Sequence, residues 1–293
     1  MSRLNPSSEA FHPSPSLCEV WTHNLHSEIL HISRLLDRYS VVSMDTEFPG
    51  VLYRLEGDCP DLLYQSIRVN VNATKVIQVG ISIADEQGEA PDGVCTWQFN
   101  LHFDLSTDDY ASDSIDLLTR AGLNLVENAK YGIEPAVFAE HLMVSGLVLN
   151  EDVRWVTFHG AFDFAYFLRT LTARPLPDTE TSFLQELNTY FPHYYDVKQM
   201  VRQDDRFRGG LSRLAELLRL TRWGTAHQAG SDAVVTLACF FALRKDYFGG
   251  EVPAYHLGVL YGLGSGRLWT CLAPCEESWR PQSRPFFEVS ISN

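Results

Sequence analysis

The chain has 293 residues, enough for one large domain or two small ones with a sizeable core. Hydrophobic residues make up 45% and aromatics 12%, so most of the chain is expected to fold, and no apolar run approaches the ~20 residues that span a bilayer. The net charge of −14 excludes broad electrostatic adhesion to nucleic acid; such a partner would have to be met at a local site, with bound cations helping.

The N-terminus, MSRLNPSSEAFHPSPS, lacks the apolar core of a secretory signal, and the Ser- and Pro-rich residues 1–17 are expected to be disordered. The stretch EVWTHNLHSEILHISRLLDRY suits an amphipathic helix, with Leu25, Ile29, Ile32 and Leu36 at helical spacing. VVSMDTEF reads as a first strand, KVIQVGISIAD as a second and TWQFNLHF as a third. In the third, Trp97, Phe99, Leu101 and Phe103 alternate and give one apolar face. The turn residues of DEQGEAPDG join the second and third strands in a hairpin. Helices are expected over 109–122 and 135–147, the latter with Pro135 in its first turn. VRWVTFH is a fourth strand followed by the helix FDFAYFLRTL. SFLQELNTYF is a helix, HYYDVKQM a short strand running into a helix, and LSRLAELLRL and SDAVVTLACFFALRK are the last clear helices. Residues 266–293 show no period and read as an irregular tail. Strands first, then strands alternating with helices, predict one α/β domain over 18–265 with a mixed sheet.

The six cysteines are scattered over a long chain, so a reducing compartment is expected. Cys271 and Cys275 form a lone CxxxC, short of the four ligands a structural zinc needs.

In VVSMDTEFPG, positions 41–50, Asp45 and Glu47 are two apart on a strand and therefore point to one face. An arbitrary D-x-E is most often a solvated strand end. Here Val41, Val42 and Met44 precede the acids and Phe48, Pro49 and Gly50 follow, which argues for partial burial. Like charges placed so raise one another's pKa unless a cation joins them, and a hard divalent cation accepts several carboxylate oxygens. Two other places supply acids. Asp163 follows the fourth strand at the start of a helix, and Asp232 opens the last helix five residues after His227. Taken singly, each is an ordinary helix-start Asp or loop His.

Together, D-x-E on a strand, F-H-x-x-x-D at a strand-to-helix junction and H-x4-D opening a late helix resemble the DEDD exonucleases of the histidine subclass. The chain resembles the Caf/Pop-type deadenylases, nuclease subunits of the Ccr–Not complex. MDTEFPG (44–50) matches that family's first motif unchanged. IQVGIS (77–82), TWQFN (96–100), FHGAFDF (158–164), YDVK (195–198), RGGL (208–211), HQAGSDA (227–233) and LYGLGSG (260–266) follow in order with small substitutions. The likeness covers roughly 20–266. Gly160, Ala161 and Phe162 stand where the family usually has Ser-Gly-Tyr, and Arg208 where it often has Lys; neither departure touches the acids or the histidine.

The resemblance implies an RNase H-like fold: a mixed five-stranded sheet, its first three strands antiparallel, with helices on both faces. It implies a metal-dependent 3′→5′ exoribonuclease that shortens poly(A) tails and releases 5′-AMP. Asp45, Glu47, Asp163 and Asp232 would hold two divalent cations, Mg²⁺ or Mn²⁺, with Asp45 bridging them, and His227 would take the proton from the attacking water. The implied partners are a single-stranded RNA 3′ poly(A) tail, a Not scaffold protein with a second deadenylase, and antiproliferative adaptor proteins. No membrane is expected. The expected location is the cytoplasm, with the nucleus an open alternative.

For the RNA grip, the stretch from Lys198 to Arg222 carries seven basic residues against three acidic ones in an otherwise acidic chain. It reads either as a solvated helix surface or as a phosphate-contacting strip, with Arg206 and Arg208 the first choices. Phe48, His159 and Phe162 adjoin catalytic positions and could stack on the terminal nucleotide, although core packing is the commoner fate of Phe. No residue set reads adenine. The alternatives are a DNA-directed or proofreading exonuclease of the same superfamily, an interaction module with a vestigial site, and a secreted or membrane-linked phosphodiesterase. The intact set of four acids and a histidine argues against the second of these, and the missing targeting segment against the third.

Overall fold

The computed structural model describes residues 16–57 and 61–264. The expectations for residues 1–15, for Cys271 and Cys275, and for the tail over 266–293 lie outside the described residues.

Six strands form one mixed sheet: β1 (Ser16–Val20), β2 (Val41–Glu47), β3 (Gln78–Ala84), β4 (Val94–Asn100), β5 (Arg154–Thr157) and β6 (His193–Asp196), in the order β1-β4-β3-β2-β5-β6. β2, β3 and β4 are antiparallel neighbours, β5 joins β2 in parallel, and β6 joins β5 in parallel. These are the five strands expected from the sequence. The sixth, β1, adds in parallel to the outer edge of β4. Ser16 and Leu17, assigned above to the disordered segment 1–17, are therefore the first residues of a strand. Its five residues SLCEV are mostly half-exposed, so no apolar alternation announces it; hydrogen bonding to the open edge of β4 fixes it instead.

The pleat sends alternate residues of the sheet to two cores. Val42 and Met44 of β2, Ile81 and Ile83 of β3, and Trp97 and Phe99 of β4 join one large core. They meet there Ile29 and Ile32 of α1 (Leu25–Leu35), Tyr64 and Ile67 of α2 (Leu62–Ala73), Phe138 of α5 (Pro135–Met143) and Phe164 and Phe167 of α6 (Ala161–Thr172). Val41, Ala84 and Val156 point the other way, to α8 (Val197–Met200), α9 (Leu211–Leu217) and α10 (Ala229–Ala242). Helices thus cover both faces.

The helix expected over 109–122 is shorter, α3 (Ser112–Arg120), and two helices were not foreseen. α2 buries Tyr64, Ile67 and Val71 at helical spacing, but its Asn and β-branched residues hide that periodicity. α4 (Leu125–Tyr131) is seven residues long, and the side chain of Asn124 caps it by accepting from the Glu127 amide. α7 (Glu180–Tyr190) falls where SFLQELNTYF placed it. Among the described residues no helix is long and apolar enough to cross a membrane.

Candidate active site

β2 divides its side chains between the two faces, and this division builds the site. Ser43 donates its hydroxyl to the Ala233 carbonyl of α10 at 2.8 Å, which marks the face shared by Ser43, Asp45 and Glu47. Thr46 points the opposite way. Its amide and hydroxyl both donate to Asp163 Oδ1 in the first turn of α6, at 2.8 and 2.6 Å. The middle residue of D-x-E therefore ties the third acid to the strand that carries the first two.

The fourth acid arrives on α10, which lies unusually close to the sheet. A Cβ at Gly80, paired opposite Asp45, would sit 1.9 Å from the Ala229 carbonyl oxygen, so only glycine allows this approach. Side-chain amides of the sheet then hold the helix start. Gln78 Oε1 accepts from the Ala229 amide and Gln98 Oε1 from the Gly230 amide, both at 2.9 Å. Gln98 Nε2 donates to Gln228 at 2.9 Å and to Glu19 of β1 at 2.8 Å; Asn100 donates to the other Glu19 oxygen at 2.7 Å. These bonds satisfy the otherwise orphaned first N–H groups of the helix that carries Asp232. His227, just ahead of it, has a left-handed backbone (φ 63°) and donates its amide to Asp232 Oδ2 at 3.2 Å. That conformation is costly for a non-glycine residue and concentrates at functional sites.

One ligand atom each from Glu47, His227 and Asp232 lie within 4.8 Å of one another. Asp45 and Asp163 act on the same group electrostatically. Burial pushes Asp45 well above the usual carboxylate range, and Asp163, Glu47 and Asp232 push it the same way. Burial raises Glu47 to about 8, helped by Asp232 and Asp163. Burial likewise lifts Asp163 to about 7 against the two Thr46 hydrogen bonds. Arg222, on the segment between α9 and α10, is the cation that opposes the rise at Asp45 and Glu47; its guanidinium pairs with Asp232. Four hard oxygen donors crowded out of water, with a single guanidinium among them, fit divalent cations of the Mg²⁺ or Mn²⁺ type.

The expected RNA contacts fall in three places. Phe48 stacks on Phe162 (centroids 5.2 Å apart, planes at 17°) and against Tyr166, and both phenylalanines, each next in sequence to an acid, pack partly buried on the large core. His159 is solvent-exposed, has a left-handed backbone (φ 60°), and sets its ring edge-on to Tyr261. Asp196 holds that turn by accepting from the His159 and Gly160 amides at 2.8 and 3.1 Å. Arg206 forks onto Asp204, with contacts down to 2.5 Å, and Arg208 pairs with Asp205 at 3.0 Å. Both arginines are exposed, and these ion pairs are with neighbours on their own loop. Sequence reasoning passed over Thr46, Gln78, Gln98, Asn100 and Glu19. Gln98 and Asn100, two apart on the polar side of an otherwise apolar strand, were the available signal.

An RNase H-like sheet with carboxylates gathered beside its central strand defines the nuclease class of fold. A family model for CAF1 family ribonuclease matches residues 20–136 and 143–224. Poly(A) ribonuclease pop2 of Schizosaccharomyces pombe is 47% identical over 250 residues, 84% of this chain and 75% of that protein. The structure of S. pombe Pop2p in its Mg²⁺ and Mn²⁺ bound form matches with a TM-score of 0.82 at 46% identity, over 84% of this chain and 99% of that one. The structure of the yeast NOT1 MIF4G domain co-crystallised with CAF1 matches with a TM-score of 0.75 at 32% identity, over 86% of this chain and 100% of that one. The chain belongs to the CAF1 ribonuclease family.

Proposed function

We propose that this chain is a metal-dependent 3′→5′ exoribonuclease that shortens mRNA poly(A) tails and releases 5′-AMP. The observation that carries the reading is the convergence of Glu47, His227 and Asp232 within 4.8 Å, with Asp45 and Asp163 electrostatically joined to them. The relative named poly(A) ribonuclease and the relative solved with Mg²⁺ and Mn²⁺ support the substrate and the metals.

Asp45, Glu47, Asp163 and Asp232 would hold the ions. Two bound divalent cations supply neutralisation of the phosphodiester charge and a more acidic water. The residues then have separable tasks. Thr46 fixes Asp163 through two hydrogen bonds, and the amide contacts of Gln78 and Gln98 fix the start of α10 beneath Asp232. His227 is exposed and adjoins the acids, where it can take a proton from a water that attacks phosphorus; the P–O3′ bond breaks and a 5′-mononucleotide leaves. Phe48 and Phe162, next in sequence to Glu47 and Asp163, stack on one another.

The solved NOT1–CAF1 pair supports docking of this chain on a Not scaffold. A second deadenylase, adaptor proteins, a single domain that also takes in Ser16 and Leu17 of β1, and a cytoplasmic location belong to the same proposal and rest on the sequence reading. The test is Asp45→Ala. The variant is expected to melt cooperatively and to leave an A-tailed RNA unshortened. Shortening at the parent rate by the purified variant would remove Asp45, and with it this site, from the reaction.

A further inference from the structure

We propose that Arg222 is a built-in cation that occupies the Asp232 side of the metal site and must be displaced when a divalent ion binds there, so that it sets the metal concentration the enzyme needs. The inference rests on the metal reading above.

Arg222 lies on the segment between α9 and α10, with its side chain 23% exposed. One Nη pairs with Asp232 Oδ1, while the other donates to Ser212 Oγ of α9 at the long distance of 3.3 Å. Its Nε is buried and has no hydrogen-bond partner among the described residues. A guanidinium held for structure alone satisfies its buried donors; one left with an orphan N–H is held chiefly by charge. The charge is supplied by the acids: Asp232 in contact, with Asp45 and Glu47 close enough to feel it.

Asp232 has two oxygens, and each already accepts a contact. Oδ1 meets Arg222 and Oδ2 accepts the His227 amide. A divalent cation on Asp232 would share a carboxylate oxygen with one of these donors, and it would bring two positive charges up against the guanidinium already there. Both effects oppose coexistence. The long flexible stem of arginine and the weak Ser212 contact let the guanidinium swing away with little else broken. In the metal-free protein the same group relieves the repulsion among carboxylates drawn out of water, so it should stabilise that state specifically.

The experiment compares the full chain with Arg222→Gln and Arg222→Lys. Mn²⁺ binding is followed by the electron paramagnetic resonance signal of the free ion, and melting is measured in chelator and in saturating Mg²⁺. Arg222→Gln is expected to bind Mn²⁺ about tenfold more tightly. It should melt below the parent in chelator, with most of that gap closed in Mg²⁺. Arg222→Lys, which keeps the charge, should stay near the parent and serves if the glutamine variant does not fold. Unchanged or weaker Mn²⁺ binding by a folded Arg222→Gln protein would overturn the proposal, because it would make Arg222 a support for the metal-bound site or a bystander. Failure of the parent to bind Mn²⁺ at all would overturn the metal reading as well, which separates the two failures.

Discussion

Gly80→Ala tests whether the close seating of α10 on the sheet sets the active site. The added Cβ would lie 1.9 Å from the Ala229 carbonyl oxygen, 2.1 Å from its carbon and 2.4 Å from the Gly230 nitrogen. All three are backbone atoms, so no side chain can turn aside. Ordinary contact begins at 3.4 Å, which requires the start of α10 to retreat by about 1.5 Å. Overpacking of this kind costs about 2 kcal/mol, or about 3 °C in melting temperature for a chain of this size. The functional cost is larger. Asp45 and Glu47 stay with β2, while His227 and Asp232 move with α10. A displacement on the order of 1 Å between catalytic groups costs on the order of 10²-fold in rate. The assay pairs thermal melting with the initial rate of shortening of a 5′-labelled A-tailed RNA at saturating Mg²⁺. A folded Gly80→Ala protein within about twofold of the parent rate would refute the reasoning, for it would show that the helix start need not be where the sheet holds it.

The pH dependence of stability has a definite sign. Glu47 and Asp163 bind their protons more tightly in the metal-free fold, at about 8 and 7, than in the unfolded chain, where ordinary values are 4.5 and 3.8. Their contribution is complete below about pH 4 and is lost as pH rises through 7 to 8. Melting in chelator should therefore fall across that window, and saturating Mg²⁺ should flatten the fall; a flat profile in chelator would count against buried, mutually repelling acids. Gln98→Ala removes the acceptor of the Gly230 amide and the links to Glu19 and Gln228. It should cost about 1–3 kcal/mol and weaken Mn²⁺ binding with little change in the KM for RNA. Unaltered Mn²⁺ affinity would mean that the amides stabilise the helix without aiming Asp232.

The places of the acids were legible from simple periods, two residues apart on one strand and at the starts of two helices, whereas their reading as one site with His227 came from the resemblance of the motif series to a known family. The five main strands were legible from their periods as well. What escaped was set by partners distant in sequence. β1 exists because β4 has an open edge, and no pattern within SLCEV says so. The roles of Gln78 and Gln98 depend on a helix some 130–150 residues further on, and the role of Gly80 depends on the same approach. Phe48 and Phe162 were equally readable as stacking platforms or as packing; their mutual stacking against the core emerges only in three dimensions. Arg206 and Arg208 formed part of a basic strip in the sequence, whereas the fold spends much of their charge on Asp204 and Asp205 next door.

The most direct measurement is a time course on an RNA with a 3′ A-tract, labelled in parallel at the 5′ and 3′ ends, in Mg²⁺, in Mn²⁺ and in chelator. The account predicts a ladder that shortens one nucleotide at a time from the 5′-labelled RNA. It predicts labelled 5′-AMP as the first product of the 3′-labelled RNA, and no reaction in chelator. Internal fragments, or shortening that continues undiminished in chelator, would contradict it.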